Sequence, residues 1–138
     1  MPAHCTSSGK AILAYLPHDE QDAFLAAAPF AAFSSTTITT REAFVKELKR
    51  IRDRGFAVDN EEWLPGIRCV AAPIFDYTGR PSYAISVAGP SFRMTRETVD
   101  RIRKKLLEAG DRISTALGSP RGNVESERGK KPLNSKKP

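Results

Sequence analysis

The sequence predicts an α+β fold in which antiparallel strands form a sheet flanked by helices. Helical hydrophobic patterns occupy both ends of the 138-residue chain, and a strand-like region lies between them over residues 56–90. That region contains one short strand, a loop and a β-hairpin, because apolar and small residues alternate there instead of recurring every three or four positions. A chain of this length is expected to form one domain around one core.

Two short helices are predicted in the first 40 residues. The first begins at the hydroxyl-rich residues 6–8, whose side chains can accept hydrogen bonds from the free amides of a first turn, and it ends at Pro17. The second is predicted over residues 19–28, with Asp19 near its N-cap and Pro29 at its end. The Ser/Thr-rich residues 30–40 then indicate a loop or an edge segment.

The third helix has the clearest pattern. Thr39 and Glu42 form a capping box at its start, and Gly55 stands where a left-handed glycine commonly ends a helix. Apolar residues recur at intervals of four and three, which predicts one buried stripe: Phe44, Leu48 and Ile51. The basic residues are interpreted as a mostly solvated face and not as nucleic-acid contacts: Lys46, Lys49, Arg50, Arg52 and Arg54.

A long final helix is predicted from Thr95, a favourable N-cap residue, to Gly118. Met94 is expected to pack against Val99 as a hydrophobic staple. Gly110 weakens this helix locally, by about 1 kcal/mol relative to alanine. The apolar stripe expected to face the sheet consists of Val99, Ile102, Leu106, Ile113 and Leu117.

The two faces of the predicted hairpin differ in the size of their side chains. Along residues 82–88, serine and alanine alternate with large apolar residues, so one strand face carries only small side chains. Cys69 and Ala71 extend this small face onto the preceding strand, while Arg68 is expected to project to the opposite face. Because small side chains fill little volume, either a closely packed helix or a small ligand is expected over this face.

The basic excess of the chain is concentrated at its end. The net charge is +6, and residues 119–138 contribute +4 of it through six Lys and Arg against two Glu. This Pro-, Gly- and Lys-rich tail lacks the apolar residues needed for a core and is predicted to be disordered. Such a tail can contact phosphates non-specifically, or it can simply keep the chain soluble.

Composition narrows the class of protein. An apolar fraction of 40% and a charged fraction of 28% are typical of a soluble globular domain. No run reaches the roughly 18 apolar residues of a membrane span, and no secretory signal is visible at the start. Two cysteines cannot form a disulfide framework, so a reducing cytoplasm is the expected location.

Motifs for catalysis or for cofactor binding are sparse. No phosphate-binding glycine loop and no paired-cysteine zinc pattern is present, so no cofactor, no metal site and no catalytic residue is assigned. A nucleophile–base pair of Cys69 with His4, or a site that adds Asp59 to them, stays an alternative. The polar residues 59–62 can cap a turn or accept hydrogen bonds from a ligand.

Several segments together resemble the effector-binding domain of the IclR family of transcriptional regulators. The start at residues 4–11 is similar to the family pattern H-A-(S/T)-x-x-G-K-A. The other matching blocks follow in the family's order and spacing: Thr37-Ile38-Thr39, RGFAVDNEE (54–62), PGIRCVAAPIFD (65–76) and ISVAGP (85–90). The resemblance covers residues 3–118, which is nearly everything except the tail.

This resemblance implies a GAF-like fold, which is a curved antiparallel sheet flanked by helices. It also implies a pocket for a small, usually carboxylate-bearing metabolite whose binding changes DNA affinity or oligomeric state. The pocket positions carried over by motif are Ser7, Ser8, Asp59, Cys69, Ser86 and Ala88. Many family members have serine at the last of these positions, so this chain lacks one hydroxyl donor there.

Family members also carry an N-terminal winged helix-turn-helix, a linker helix and the first strands of the effector domain. The present sequence starts in the middle of that domain and contains no helix-turn-helix pattern. The expected organisation is therefore an effector-binding domain over residues 1–118 that is incomplete at its N-terminus, followed by the basic tail over residues 119–138. Without the early strands, a sheet edge is expected to be exposed.

The functional hypothesis is the ligand-sensing part of a cytoplasmic, non-enzymatic transcriptional regulator. Its expected partners are a small carboxylate metabolite, other copies of itself in a dimer or tetramer, and DNA through the winged domain only; no membrane is expected. One rival is a stand-alone GAF-like enzyme that uses Cys69 as a redox or nucleophilic thiol. Another is a bare dimerisation module with a collapsed pocket.

Overall fold

The computed structural model describes residues 1–121 and confirms the predicted α+β fold class. A 3-10 turn (Ala3–Cys5) comes first, and the other elements follow it in this order: α1 (Ser7–Leu13), α2 (His18–Ala27), α3 (Arg41–Arg54), β1 (Ala57–Asn60), β2 (Ile67–Phe75), β3 (Pro81–Pro90) and α4 (Arg96–Ala116). The short strand, loop and hairpin predicted over residues 56–90 are all present. Residues 122–138, which contain most of the predicted tail, lie outside the described part.

The first helix begins where the sequence predicts, but its end and both bounds of the second helix differ from the prediction. Thr6 caps α1, because its hydroxyl oxygen accepts a hydrogen bond from the Gly9 amide at 3.3 Å. This helix ends at Leu13, well before Pro17. Helix α2 begins and ends one residue earlier than the predicted residues 19–28, with Pro17 in the cap position. Asp19 lies in the first turn, where a carboxylate still favours the positive end of the helix dipole.

The capping box of α3 was placed one residue too early. Thr40 is the N-cap, and its hydroxyl accepts a hydrogen bond from the Ala43 amide at 3.3 Å, so Thr39 and Glu42 do not form the predicted box. Two adjacent threonines satisfy the same sequence pattern, and only the extended backbone at Thr40 separates them. The predicted end is confirmed, since Gly55 is left-handed with a φ of 88°.

The three strands form one antiparallel sheet in the order β1–β2–β3, so β3 is an edge strand of the described sheet. Helices α1, α2 and α3 pack on one face and bury the predicted stripe of α3 together with Phe75 and Ala71. Helix α4 packs on the other face around Val70, which has Phe56 and Leu106 as neighbours in its core. Arg68 projects to the α4 side as predicted, because its guanidinium donates to the Met94 carbonyl.

Helix α4 is only partly buried along its predicted stripe. Thr95 caps it, and Met94 and Val99 lie in one core cluster as expected of a staple. However, Ile113 and Leu117 are exposed, so the prediction that the whole stripe faces the sheet is wrong for its last two positions. In these turns Gly110 and Ser114 face the sheet instead: a Cβ on Gly110 would lie 3.2 Å from the Pro73 carbonyl oxygen, and the buried Ser114 hydroxyl accepts a hydrogen bond from the Phe75 amide at 2.9 Å. No helix in residues 1–121 is long and apolar enough to cross a membrane.

Candidate functional site

The small side chains predicted on one strand face do lie together in the sheet. We call this surface the small-residue face; in β1 it contains Ala57 and Asp59, in β2 Cys69 and Ala71, and in β3 Ala84, Ser86 and Ala88. The strand register aligns Asp59 with Cys69 and Cys69 with Ala88. The next row along the sheet aligns Ala57 with Ala71 and Ala71 with Ser86. Four of the six predicted ligand positions are therefore neighbours.

The sequence predicts either a closely packed helix or a small ligand over this face, and the structure has room for both. Helix α1 lies across all three strands, and Ala57 and Ala71 below it are fully buried. Ala84 of β3 also packs against this core, but Ser86 and Ala88 of the same strand are exposed and Cys69 is half-buried. The small side chains thus allow close helix packing at Ala57 and Ala71 and leave open surface at Ser86 and Ala88.

The remaining two predicted positions, Ser7 and Ser8, form the first turn of α1. Ser7 is buried and Ser8 is half-buried. The preceding 3-10 turn packs against the helix so closely that a Cβ on Gly9 would lie 2.4 Å from the Ala3 carbonyl oxygen. Glycine at this position is therefore what allows the turn to fold back against the start of α1.

Burial changes the acid–base properties of the groups at the covered end. Burial is the main cause that raises the pKa of Asp59, although backbone amides of Glu62 and Trp63 oppose the shift by donating to its carboxylate. The Glu62 amide lies 2.7 Å from Oδ1 of Asp59. Burial, together with the nearby Asp59 carboxylate, also raises the pKa of the Cys5 and Cys69 thiols. Neither thiol is held as a thiolate at neutral pH.

A buried group of ions, which the sequence motifs above do not predict, lies beside these residues. Lys10 in α1 is fully buried, and its Nζ lies 2.8 Å from Oε1 of Glu62 and 3.3 Å from Oε1 of Glu47. Glu47 in α3 also accepts a hydrogen bond from Arg54 at 3.3 Å. Burial raises the pKa of Glu62, and the positive charge of Lys10 partly opposes that shift.

A sequence signal for these ions did exist. Lys10 stands three and four residues before Leu13 and Ala14, which are both buried, so the helical period places it on the inner side of α1. Glu47 lies between Phe44 and Leu48 on the buried stripe of α3 in the same way. A charged residue on an apolar stripe predicts a buried partner, because an unpaired charge is costly inside a protein.

The contacts of His4 differ from the nucleophile–base pair with Cys69 that the sequence left as an alternative. Its Nε2 lies 3.0 Å from the Ala31 carbonyl oxygen, and its ring packs edge-on against Phe30 with 5.6 Å between centroids. The ring thus serves the packing of the loop that follows α2. Within residues 1–121, no group of three or more His, Cys, Asp or Glu side chains is placed to hold a metal ion.

Comparisons with known proteins agree on one family. The family model described as the C-terminal region of the bacterial transcriptional regulator IclR matches residues 1–115. The chain is 38% identical to the HTH-type transcriptional regulator BhcR of Paracoccus denitrificans over 114 residues, covering 83% of this chain and 41% of BhcR. It is 34% identical to the HTH-type transcriptional regulator XynR of Escherichia coli, covering 87% of this chain and 48% of XynR.

Solved structures give the same result at the level of the fold. The IclR protein of Thermotoga maritima superposes with a TM-score of 0.82 and 39% identity, covering 84% of this chain and 47% of that protein. The C-terminal domain of the E. coli regulator KdgR superposes with a TM-score of 0.79 and 32% identity, covering 85% of this chain and 71% of that domain. The chain therefore spans less than half the length of the curated relatives it matches.

Proposed function

Because the chain belongs to the IclR family of bacterial transcriptional regulators, as part of the C-terminal effector-binding domain, we propose that it binds a small carboxylate metabolite on the small-residue face. Its α+β fold is the GAF-like fold of those domains, as the resemblance implied. The relatives that define the family are transcriptional regulators and not enzymes. One observation supports the place of the site: the small-residue face is buried at Ala57 and Ala71 and open at Ser86 and Ala88.

The proposed roles follow from which groups remain available at this face. In the first turn of α1, the Gly9 and Lys10 amides donate to the side chain and carbonyl of Thr6. The amides of Ser7 and Ser8 are then the ones that a carboxylate would bind. Asp59, Cys69 and Ser86 would contact hydroxyl or carbonyl groups of the same ligand. Ala88 contributes only a methyl group, so this end of the site favours an apolar part of the ligand.

The proposed output is a change in the DNA affinity or the oligomeric state of the whole regulator. A ligand can shift such an equilibrium only by as much as its affinity for the two states differs. In this scheme DNA is bound through a winged helix-turn-helix domain, the protein acts in the cytoplasm as a dimer or tetramer, and the described residues supply the sensing half.

A thermal-shift screen of the purified chain against keto acids, sugar acids and aromatic acids tests the proposal. Ligand at 100 times Kd should stabilise the fold by about 2.7 kcal/mol. Cys69→Ala and Ser86→Ala should each reduce the shift produced by a hit. Ser82→Ala is the matched control, since Ser82 lies on the same strand but its hydroxyl donates a hydrogen bond to the Asp76 carboxylate at the hairpin end.

Each shift is measured against the melting temperature of the same variant without ligand, so that differences in intrinsic stability cancel. Equal losses in Ser82→Ala and Ser86→Ala would place the ligand elsewhere. A cooperative melt that no carboxylate changes would contradict the sensing proposal and favour a bare dimerisation module. Rapid modification of Cys69 by thiol reagents at neutral pH would favour the rival enzyme.

A further inference from the structure

We propose that the segment after α4 couples the C-terminal end of that helix to the end of α1, so that loosening either one loosens the other. We call this segment, residues 118–121, the clasp. The inference rests on the contacts of the clasp with the core and goes beyond the proposed effector site, on which it does not depend. Arg121 in the clasp contacts Tyr15, which directly follows the C-cap of α1, so the clasp joins elements from opposite ends of the described chain.

A left-handed glycine turns the chain back at the end of α4. Gly118 has a φ of 80°, a conformation that glycine adopts without strain. Its amide donates to the Thr115 carbonyl oxygen at 2.9 Å. The Ser119 amide donates to the Ser114 carbonyl oxygen at 2.9 Å as well. These two hydrogen bonds form a Schellman motif, which fixes the direction in which the clasp leaves the helix.

The clasp then lies against the turn between β2 and β3. A Cβ on Gly79 in this turn would lie 3.6 Å from Cδ of Arg121 and 3.7 Å from Cγ of Pro120. A Cβ on Gly118 would lie 3.5 Å from Cβ of Tyr77. These are ordinary van der Waals separations, so at both points the two segments leave room for no more than a methyl group between them.

Arg121 connects the clasp to the core. Its guanidinium carbon lies 4.5 Å from the ring centroid of Phe75 and 5.4 Å from that of Tyr15. The two rings meet edge to face with 5.2 Å between centroids, and both residues are buried. A guanidinium is attracted to the face of an aromatic ring, and the attraction is stronger where water is excluded. The side chain of Arg121 therefore holds the end of α1 and the end of β2 together.

This stack of one cation and two rings gives α1 a connection to the C-terminal end of α4. Because α1 has only seven residues, Tyr15 moves with the first turn of the helix, which contains Ser7 and Ser8. A shift of α1 changes the contacts of Tyr15 with Phe75 and Arg121, and the clasp is displaced with it. Coupling is a free energy that both parts share, so release of the clasp loosens α1 to the same extent.

Hydrogen exchange of the full chain under native conditions tests the coupling in both directions. The Tyr15 amide donates to the Ile12 carbonyl oxygen at 3.1 Å, and Arg121→Ala should accelerate its exchange roughly tenfold. Tyr15→Leu should accelerate exchange of the Gly118 and Ser119 amides by a similar factor, because the coupling is reciprocal. The Val70 amide in the central strand reports global unfolding, so each rate is compared with the rate at Val70 in the same variant.

Two matched variants separate coupling from a general loss of stability. Arg93→Ala also removes an arginine that stacks on a ring, but its partner Phe92 is 76% exposed, with 5.7 Å from the guanidinium carbon to the centroid. This variant should leave exchange at both the end of α1 and the clasp unchanged. Tyr15→Phe keeps the ring and loses only the hydroxyl, so the Gly118 and Ser119 amides should stay protected.

Three results would overturn the proposal. Acceleration confined to residues 117–121 in Arg121→Ala would mean that the clasp frays without holding α1. Unchanged protection of the Gly118 and Ser119 amides in Tyr15→Leu would exclude the reciprocal effect. Equal acceleration of every amide, with Val70 included, would assign the change to overall stability.

The wild-type chain gives a check that needs no variant to fold. With the guanidinium over two rings, the side-chain protons of Arg121 should be shifted upfield and should show nuclear Overhauser contacts to the rings of Tyr15 and Phe75. Random-coil shifts for Arg121, with no such contacts, would contradict the clasp directly.

Discussion

Replacing Lys10 with methionine tests whether the buried ions hold α1 in place. Methionine has a similar length and keeps the apolar part of the side chain, but it removes the positive charge. Lys10 is the only cation within hydrogen-bond distance of Glu62 among the ion pairs of residues 1–121, with Nζ to Oε1 and Oε2 distances of 2.8 and 3.0 Å. Glu47 retains Arg54 at 3.3 Å, so Glu62 is the carboxylate that loses its partner.

The expected loss is large compared with the stability of a domain. Removing one partner of a buried ion pair costs about 3–5 kcal/mol, because the other charge stays buried and unpaired. The total free energy of unfolding of a domain is typically about 5–15 kcal/mol. Lys10→Met should therefore lower the melting temperature by about 6 °C or more, given about 2–8 °C per kcal/mol for domains of this size range.

Urea unfolding at 25 °C measures the change, and a double-mutant cycle assigns it to the pair. Glu62→Gln neutralises the orphaned carboxylate, so Lys10→Met/Glu62→Gln should be more stable than Lys10→Met alone. The interaction free energy between the two sites should exceed the roughly 0.5 kcal/mol that independent sites show. Glu47→Gln is the milder control, because Lys10 keeps Glu62 in that variant.

The pH dependence of Lys10→Met gives a second check with a defined sign. Burial already raises the pKa of Glu62, and the loss of Lys10 removes the charge that opposes this shift. A carboxyl with a raised pKa in the folded state costs stability above that pKa, and the cost disappears below its unfolded value of about 4.3. The deficit of Lys10→Met should thus shrink as pH falls. A deficit under about 1 kcal/mol at pH 7, or strict additivity in the cycle, would refute the assigned role.

Three smaller predictions follow from individual contacts. Asp59→Asn should raise the free energy of unfolding at pH 7, because burial raises the pKa of Asp59 and the charged carboxylate therefore costs stability. This gain should vanish below about pH 3.9, where the carboxyl is protonated in both states. Denaturant titrations at several pH values measure the difference. Cys69 should react with a thiol reagent at pH 7 more slowly than free cysteine, which a colorimetric rate assay checks. Thr40→Ala should lower the free energy of unfolding by about 1 kcal/mol, whereas Thr39→Ala should leave it almost unchanged; urea unfolding measures both. The reverse order would indicate that Thr39 is the N-cap of α3.

Local patterns in the sequence predicted the elements and one shared face. The alternation along residues 82–88 identified β3 and its small side, and the positions of Gly55 and Thr95 identified a helix end and a helix start. These features depend on residues within one turn or one strand of each other. Where two neighbours satisfy the same rule, as Thr39 and Thr40 do, the pattern gives the element but not its first residue.

Contacts between distant parts of the chain were the main omission. Lys10 reaches Glu47 and Glu62 across 37 and 52 residues, and no local period encodes such pairings. The basic residues of α3 illustrate the same limit, since Arg54 was grouped with a solvated face but stacks on Phe56 and donates to Glu47. Similarly, Ile113 is exposed because the small residues Gly110 and Ser114 take the positions against β2 in the same turns of α4.

Apolar packing and buried ions together hold α1 over the small-residue face. Helix α1 has only seven residues, which is too short to be stable by itself in water, and its Ala11 and Leu13 are buried in the core with the stripe of α3. The Lys10–Glu62 pair also ties α1 to the loop after β1, and the Glu62 amide in turn donates to Asp59. Asp59 therefore belongs both to the proposed ligand site and to the contacts that fix α1. In the proposed site, a ligand that contacts Asp59 would act on the same groups that position the first turn of α1, so we expect its binding to be coupled to the placement of this helix.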